Sequence, residues 1–421
     1  MDRIIHDWPG KSGRDGGPEH PAVYHMIDVA AVAERLLAPC PLAQPLRDAL
    51  VLLIALHDLG KIGDGFRDMI RKRVPQSWRH WQLTEVWLAE NESFAARLQA
   101  DSHALKHLIA AIAGHHGRPS EKPTGDFKRQ RRFARPEVAQ DVAAVIAGFC
   151  DLWPDASLAA LSEEQAGPLG WWLAGLTTGA DWAGSNAEWF PARQGGLTLA
   201  DYLAHARGLA AKAVPKAGLV PGQLKTAPLF DFPLRPMQQA ARDIALPDGP
   251  TLAFIEDETG AGKTEAALIL AQRMLEAHKG KGVYLALPTM ATSDAMFARI
   301  RAIAPRLFDR PSLTLAHGRA HLSDQFRDLI GQDSRSDDAT CAPWLADNRR
   351  RALLADIGIG TVDQALLSVV RARFSALRLW GLSSKILIVD EAHEISGDSY
   401  MASLLKKLLQ VHAAQAVRPF C

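Results

Sequence analysis

The sequence predicts a multidomain protein in which an all-α domain precedes an α/β domain with a parallel sheet. At 421 residues, the chain is longer than one ordinary core supports, and its 48% hydrophobic content is enough for two. Apolar residues recur at helical spacing from Val23 to Asn186, whereas short apolar runs alternate with helical segments after Pro236. We predict a first domain over 1–198, a linker over 199–232 and a second domain over 233–421.

Apolar side chains three and four positions apart predict the helices of the first half. One such helix lies around Val29, another around Leu50, and a third runs from Leu105 to Ala113, with no convincing strand among them. An alanine-rich helix from Leu199 to Ala213 then leads into a proline-rich stretch. Prolines interrupt both helices and strands, so this stretch indicates the domain boundary.

Three apolar runs of the buried-strand type characterise the second half, namely Thr251–Ile255, Gly282–Leu287 and Lys385–Val389. Each is followed by a polar turn and a helical segment. Alternating units of this kind form parallel sheets, which bind ligands at the carboxyl edge of the strands.

Charge and hydropathy bear on whether the chain binds nucleic acid or a membrane. A formal net charge of +1 gives no global attraction to a polyanion, so a nucleic-acid contact would depend on local clusters. No run of about 18 uncharged apolar residues occurs, and the start lacks the apolar core of a signal peptide. We therefore expect a cytoplasmic chain without a membrane partner.

The His57-Asp58 pair is the first candidate for a site. Imidazole and carboxylate are the usual ligands of a hydrolytic transition metal, and Asp58 has two oxygens with which to bridge two ions. Gly60 lets the backbone turn sharply beside the pair. Further candidate ligands are His25, His80, His115, His116 and Asp181. A single histidine on an apolar face is more often a core residue than a ligand, so each of these alone is a weak signal.

Three other histidines are less favoured as ligands. His20 lies in a glycine-rich approach, where we expect it to be exposed to solvent. His103 and His107 are one helical turn apart and are assigned to structure or surface. Lys61 follows the metal pair and could contact a scissile phosphate, although a solvated loop lysine is an equally good interpretation.

A phosphate-binding loop follows the first predicted strand of the second half. Its core is Thr259-Gly260-Ala261-Gly262-Lys263-Thr264, in which backbone amides would hold phosphates, Lys263 would neutralise them and Thr264 would bind Mg²⁺. Asp390 follows the strand Lys385–Val389 and could reach the same Mg²⁺, while Glu391 could polarise the attacking water. The pattern predicts an ATP site with magnesium.

A basic segment with interleaved phenylalanines extends from Phe127 to Arg135. Cations that follow phosphates and rings that stack on bases are typical of a single-strand track, although a solvated loop is the alternative. The predicted DNA-binding residues in it are Lys128, Arg129, Arg131 and Arg132.

Together, these segments resemble the HD nuclease domain of the type I CRISPR-associated helicase-nucleases. The matching sequences are His25 in its helix, Leu56-His57-Asp58-Leu59-Gly60-Lys61, Arg79-His80, Gly114-His115-His116-Gly117 and Ala180-Asp181-Trp182. The resemblance implies one metal bound by His25, His57, Asp58 and Asp181, and a second that shares Asp58 and binds His80, His115 and His116. It implies divalent Mn, Fe, Co or Ni, and catalytic roles for His57 and Asp58.

The second half resembles the first RecA-like lobe of superfamily 2 helicases. The resemblance implies that Gln238 reads adenine and that the turns at Thr289 and Thr361 contact a DNA strand. In this family, a further strand and a complete second lobe follow. We therefore expect a fragment or a shortened protein that binds ATP but hydrolyses it poorly alone.

The function that this resemblance implies is metal-dependent cleavage of single-stranded DNA, coupled to ATP-driven movement along DNA during CRISPR interference. The implied partners are single-stranded DNA and an RNA-guided surveillance complex, and a separate chain that supplies the second lobe is left open. Two alternatives remain: an HD phosphohydrolase that acts on nucleotides, and a non-catalytic fragment that binds ATP and DNA and docks a partner.

Overall fold

The computed structural model describes residues 1–13, 17–89, 91–117, 135–331, 339–347 and 350–416. These residues form two compact units that divide between Val214 and Pro215. Residues 199–214, which were predicted to belong to a linker, thus lie in the first unit.

The first unit is helical. Its helices, numbered along the chain, are α1 Asp2–Asp7, α2 Ala22–Leu37, α3 Gln44–Ala55, α4 Asp64–Lys72, α5 His80–Ala89, α6 Glu92–Arg97, α7 Ser102–Ala113, α8 Pro136–Leu152, α9 Glu163–Gly184 and α10 Leu199–Lys216. Two short 3-10 helices, Leu56–Lys61 and Gly114–His116, directly follow α3 and α7. A small antiparallel hairpin of β1 Pro9–Lys11 and β2 His20–Pro21 was not predicted, because its proline and glycine residues are untypical of strands.

Three helices form the centre of this unit. Helix α9 packs against both α7 and α2, and α2 is buried on nearly all sides. A capping box fixes the start of α9, since Ser162 and Gln165 satisfy each other's backbone amides. The first 3-10 helix packs against α5, which brings His57 and Asp58 into this core.

The second unit is an α/β structure with a four-stranded parallel sheet in the order β6-β7-β4-β8. Its strands are β3 Gln223–Leu224, β4 Gly282–Leu287, β5 Phe308–Asp309, β6 Leu313–Ala316, β7 Ile357–Thr361 and β8 Lys385–Val389. Its helices are α11 Pro236–Asp243, α12 Lys263–Glu276, α13 Met290–Leu307, α14 Asp324–Arg327, α15 Pro343–Ala346, α16 Val362–Leu366, α17 Ser375–Ser383, α18 Ala392–Ser396 and α19 Ser399–Ala416. The predicted fold class is confirmed.

One predicted strand is wrong. Residues 251–255 pair with no strand among the described residues, and Leu252 and Phe254 are 63% and 86% exposed. The apolar run has the composition of a buried strand but lacks a hydrogen-bonded neighbour. The sheet ends at β8, which pairs only with β4 among the described strands. Conversely, β7 was not predicted, because Gly358 and Gly360 weaken its strand pattern.

None of the helices in the described part of the chain combines the length and the apolar character that a membrane span requires.

Candidate metal centre and ATP site

Five separate elements bring the seven predicted metal ligands together. His25 lies on α2, His57 and Asp58 on the first 3-10 helix, and His80 at the start of α5. The second 3-10 helix carries His115 and His116, and the last turn of α9 carries Asp181. Five of these residues are buried, whereas His116 and Asp181 are partly exposed.

The first predicted set surrounds one oxygen of Asp58. The His25 Nε2 atom lies 3.2 Å from Asp58 Oδ2 and 3.4 Å from Asp181 Oδ1. The His57 Nε2 atom lies 3.3 Å from Asp58 Oδ2 and 3.7 Å from Asp181 Oδ1. Their donor atoms are within 4.8 Å of one another, which is the spacing of a group that can bind one ion.

The second predicted set surrounds the other oxygen of Asp58. The Nε2 atoms of His80 and His115 lie 3.2 Å and 3.4 Å from Asp58 Oδ1. His116 Nε2 is 2.9 Å from His80 Nε2, and the donor atoms of this set are also within 4.8 Å of one another. The two carboxylate oxygens of Asp58 therefore face different sets.

The chemistry of these donors fits divalent cations. His57 Nε2, His115 Nε2 and Asp58 Oδ1 are buried without a hydrogen-bond partner. The Nδ1 atoms of the two histidines lie 2.9 Å and 2.7 Å from the backbone carbonyls of Ile54 and Ile112. A carbonyl only accepts, so each Nδ1 carries a proton, and each Nε2 faces the cluster, where it can offer a lone pair whenever the ring is unprotonated. Buried lone pairs of this kind are costly unless a cation or a proton satisfies them.

The pKa values of three histidines favour the neutral, metal-binding form. Burial, together with the positive charges of Lys61 and Lys11, lowers the pKa of His25 to about 3. Burial and the neighbouring imidazoles lower the pKa of His116 to about 3. Burial also lowers the pKa of His80. These rings are therefore unprotonated at neutral pH.

The charges of His57, Asp58 and Asp181 depend strongly on one another. Burial opposes the positive charge on His57, but Asp58 and Asp181 outweigh burial and raise the pKa of His57 to about 9. Burial likewise opposes the ionisation of the two carboxyls. Lys61 and the imidazoles nevertheless hold the pKa of Asp58 well below the usual range, and the imidazoles of His25 and His57 do the same for the pKa of Asp181. A cation that binds His57 at neutral pH would have to displace a proton.

Lys61 is buried beside the cluster. Its Nζ lies 2.6 Å from Asp58 Oδ2 and donates a hydrogen bond to the Gly10 carbonyl at 3.3 Å. The ammonium group also lies 5.2 Å from the centre of the Phe66 ring. The interpretation of Lys61 as a solvated loop residue is therefore wrong, because the 3-10 helix turns its side chain inward.

The exposure predicted for His20 is also wrong. His20 is 1% exposed, and its Nε2 lies 2.9 Å from Asp28 Oδ2. Tyr202 donates a hydrogen bond to the other oxygen of Asp28 at 3.0 Å and stacks on Tyr24. Strand β2 directs the His20 ring into the unit, which the glycine-rich sequence before it does not reveal. His103 and His107 are exposed, as expected.

The predicted single-strand track lies almost wholly outside the described residues, which omit Lys128, Arg129, Arg131 and Arg132. Arg135 is described, and its guanidinium forms two hydrogen bonds of 2.8 Å and 2.6 Å with Asp64.

The phosphate loop of the second unit has the conformation that its sequence demands. Gly260 and Gly262 have φ angles of +83° and +93°, which a side chain would strain, and α12 begins directly after Gly262. Lys263 Nζ donates hydrogen bonds to the carbonyls of Asp257 and Glu258 at 2.8 Å and 3.1 Å. The ammonium of Lys263 and the backbone amides at the start of α12 thus lie beside the same loop, which also contains Thr259, Ala261 and Thr264.

The segment predicted to read adenine contacts this loop. The Gln238 amide donates to the Gly262 carbonyl at 3.4 Å, and Arg235 donates to the Gly260 carbonyl at 2.8 Å. Gln238 is buried, and its Oε1 accepts from the Arg235 amide at 3.0 Å.

The acidic pair follows β8 at the carboxyl edge of the sheet. The Asp390 amide donates to the Ala286 carbonyl at 2.9 Å, so Asp390 continues the ladder beside β4. Glu391 has a φ of +49°, a left-handed conformation that turns the chain into α18. Since α12 packs against β8, the helix of the phosphate loop and the strand of the acidic pair are neighbours.

The two threonines predicted to contact DNA differ in exposure. Thr289 is exposed and caps α13 through the Thr292 amide at 3.1 Å. Thr361 is 7% exposed at the end of β7, so its side chain is largely inaccessible in this arrangement.

Comparison with known proteins agrees with both halves of the chain. Residues 8–190 match the family described as Cas3, HD domain, and residues 235–418 match the DEAD/DEAH box helicase family. The chain belongs to the Cas3 family. The assignment places the cluster of candidate metal ligands in the HD domain and the phosphate loop in a RecA-like helicase lobe.

Individual Cas3 proteins are similar to nearly all of this chain. The CRISPR-associated endonuclease/helicase Cas3 of Thermus thermophilus is 32% identical over 94% of this chain and 47% of its own length. The corresponding Escherichia coli protein is 29% identical over 97% of this chain and 53% of its own length. The crystal structure of T. fusca Cas3-AMPPNP matches with a TM-score of 0.83 at 28% identity, covering 98% of this chain and 49% of that one. The chain spans about half the length of these Cas3 proteins.

Proposed function

We propose that the first unit is a metal-dependent nuclease that cuts single-stranded DNA. The observation that carries this proposal is the convergence of two donor sets on the two oxygens of Asp58, with buried lone pairs that lack a hydrogen-bond partner. A pair of cations at such a site supplies the positive charge that activates water and stabilises phosphoryl oxygens. The relatives are named endonuclease/helicases, which supports the same reaction class.

The candidate metal ligands and Lys61 would have separate roles in this reaction. His25, His57 and Asp181 would hold one cation with Asp58, and His80, His115 and His116 would hold the other with it. The backbone hydrogen bonds of His57 and His115 would keep both rings in the metal-binding tautomer. Lys61 would keep Asp58 ionised and oriented by pairing with Oδ2.

We infer that the second unit binds ATP with magnesium through the phosphate loop, Asp390 and Glu391, with Gln238 beside the loop. In the family, ATP-driven movement along DNA would deliver the strand to the nuclease. The proposed partners are single-stranded DNA and an RNA-guided CRISPR surveillance complex. The CRISPR-associated names of the relatives support the second partner.

The nuclease proposal predicts that Asp58→Ala abolishes cleavage. Because Asp58 is common to both donor sets, its loss removes a ligand from each, and metal content should fall together with activity. The measurement is metal content of the purified chain by mass spectrometry, together with cleavage of single-stranded and duplex DNA in Mn²⁺, Co²⁺ and Ni²⁺. We expect activity to drop by about a thousandfold or more, because the charge that stabilises the phosphoryl oxygens is lost.

Equal inactivity of the wild type and Asp58→Ala with all three metals would contradict the nuclease proposal. Turnover of deoxynucleotides without strand cleavage would instead identify a nucleotide phosphohydrolase. His107→Ala serves as a matched control, because it removes an exposed histidine of the same unit that belongs to neither predicted set.

A further inference from the structure

The N-terminal hairpin borders the metal cluster. The Trp8 carbonyl accepts a hydrogen bond from the Ala22 amide at 2.8 Å, where α2 begins. A Cβ atom on Gly10 would lie 2.8 Å from the Ala22 Cα, so only glycine lets β1 approach α2 this closely. Strand β1 is thus fixed against the helix that carries His25.

The last residue of β1 is Lys11, whose side chain reaches the end of α9. Its Nζ donates a hydrogen bond to the Gly184 carbonyl at 3.2 Å, three residues beyond Asp181. The preceding carbonyl, that of Gly10, accepts the hydrogen bond from Lys61. Two lysines from different elements therefore flank the cluster, and one peptide unit of β1 connects them.

The two lysines differ in how their charge is balanced. Lys61 forms an ion pair with Asp58, whereas Lys11 forms an ion pair with no carboxylate of the described residues. Lys11 is half-buried, and burial lowers its pKa even though Asp28, Asp181 and Asp58 are near enough for their charges to oppose this. A carbonyl at a helix C-terminus is a favourable partner for an ammonium but does not neutralise it.

An anion is the ligand that this arrangement lacks. Cations bound to the two donor sets would pair with the negative charges of Asp58 and Asp181. These carboxylates would then balance the positive charge of Lys11 even less. A phosphodiester carries the required charge, and a lysine binds it as a point charge through any of three N–H groups.

We propose that Lys11 binds a phosphate oxygen of the DNA strand beside the metal cluster, as a substrate-binding residue of the HD domain. This inference rests on the proposed nuclease function. Lys11 then contributes to the capture of the strand, whereas the cluster performs the hydrolysis.

The test compares Lys11→Met, which keeps the apolar stem, with Lys11→Arg, which keeps the charge. The substrate is a single-stranded oligothymidylate of about six nucleotides, short enough to favour one binding site. For Lys11→Met we expect KM for cleavage to rise about tenfold with kcat unchanged, as for the loss of one charge-assisted hydrogen bond. The slope of log KM against log salt should fall by about 0.7, the value for one phosphate contact on a single strand. Lys11→Arg should restore most of the KM.

Lys106→Met is the control, because it removes one exposed lysine from the same unit. Two outcomes would overturn the proposal and show that Lys11 only caps α9. In the first, Lys11→Met raises KM no more than this control does. In the second, Lys11→Met lowers kcat, metal content and the melting temperature together.

Binding of the same oligonucleotide, measured by fluorescence anisotropy in a chelator, separates this proposal from the nuclease proposal. If the wild type cleaves nothing, the nuclease proposal fails, while weaker binding by Lys11→Met still supports the phosphate contact. Equal binding by the wild type and Lys11→Met overturns the proposed phosphate contact.

Discussion

Two histidines of the cluster make the stability of the metal-free chain dependent on pH. In the unfolded chain, His25 and His116 take up protons below a pH of about 6.5, but in the folded chain their pKa values are about 3. The unfolded state then binds more protons, so the free energy of unfolding falls as the pH falls from about 6.5 toward 3. At a pH of about 5, the loss is at most roughly 2 kcal/mol for each histidine.

His57 acts in the opposite direction. Its raised pKa contributes stability that is fully present below a pH of about 6.5 and is lost as the pH rises through about 9. We therefore expect the urea midpoint of the first unit, measured in a chelator, to be highest near a pH of about 6.5. The variant His25→Asn should show a shallower decline on the acid side, and a midpoint that did not change between about pH 5 and 6.5 would contradict this assignment.

Residue types suggested the seven candidate ligands one by one, whereas the resemblance to the HD nuclease domain grouped them into two sets. The structure brings these side chains together, and their metal-binding role stays a prediction. Sequence reasoning missed Lys11 and wrongly placed His20 at the surface. Both lie in a short hairpin without regular periodicity, so only tertiary packing reveals that they face inward.

At the scale of elements, the contact between the first 3-10 helix and α5 determines the geometry of Asp58. The Gly60 amide donates to Thr84 Oγ1 at 2.9 Å, and a Cβ atom on Gly60 would overlap the backbone of His80 and lie 2.8 Å from the Thr84 amide. We predict that Gly60→Ala separates the two helices, destabilises the first unit by about 3 kcal/mol and lowers its metal content. Thermal unfolding and metal analysis measure both effects.

Gly65→Ala is the matched control, since a Cβ atom there meets nothing within 4 Å. Gly65 lies in α4, where alanine is expected to stabilise the helix by up to about 1 kcal/mol. Similar melting temperatures for the two variants would show that the close approach at Gly60 does not constrain the fold.

The strands show what local sequence can and cannot specify. Composition located β4 and β8 because both are continuous apolar runs beside other strands. The same criterion failed for 251–255, since strand pairing is a property of the neighbour as well as of the segment. It also failed for β7, whose glycines allow the close approach of Ala316 and Tyr284.

For the whole molecule, the two units are expected to bind their ligands separately, because each has its own buried core. Lys263→Ala should weaken the binding of a fluorescent ATP analogue by about a hundredfold, since it removes a charge-assisted contact to phosphate. Its metal content should equal that of the wild type. Conversely, Asp58→Ala should bind the analogue normally, and a loss of nucleotide binding in this variant would contradict separate function.

The exposed edge of β8 has a consequence for handling the protein in solution. Its outer side pairs with no strand among the described residues, and Leu387, Ile388 and Val389 are only half-buried. Soluble proteins usually protect such an edge with charges, prolines or a covering segment. With Phe254 exposed in the same unit, the chain is expected to self-associate as its concentration or the salt concentration rises. Dilute samples are therefore the right condition for measurements of nuclease activity and nucleotide binding, including those in which the salt concentration is varied.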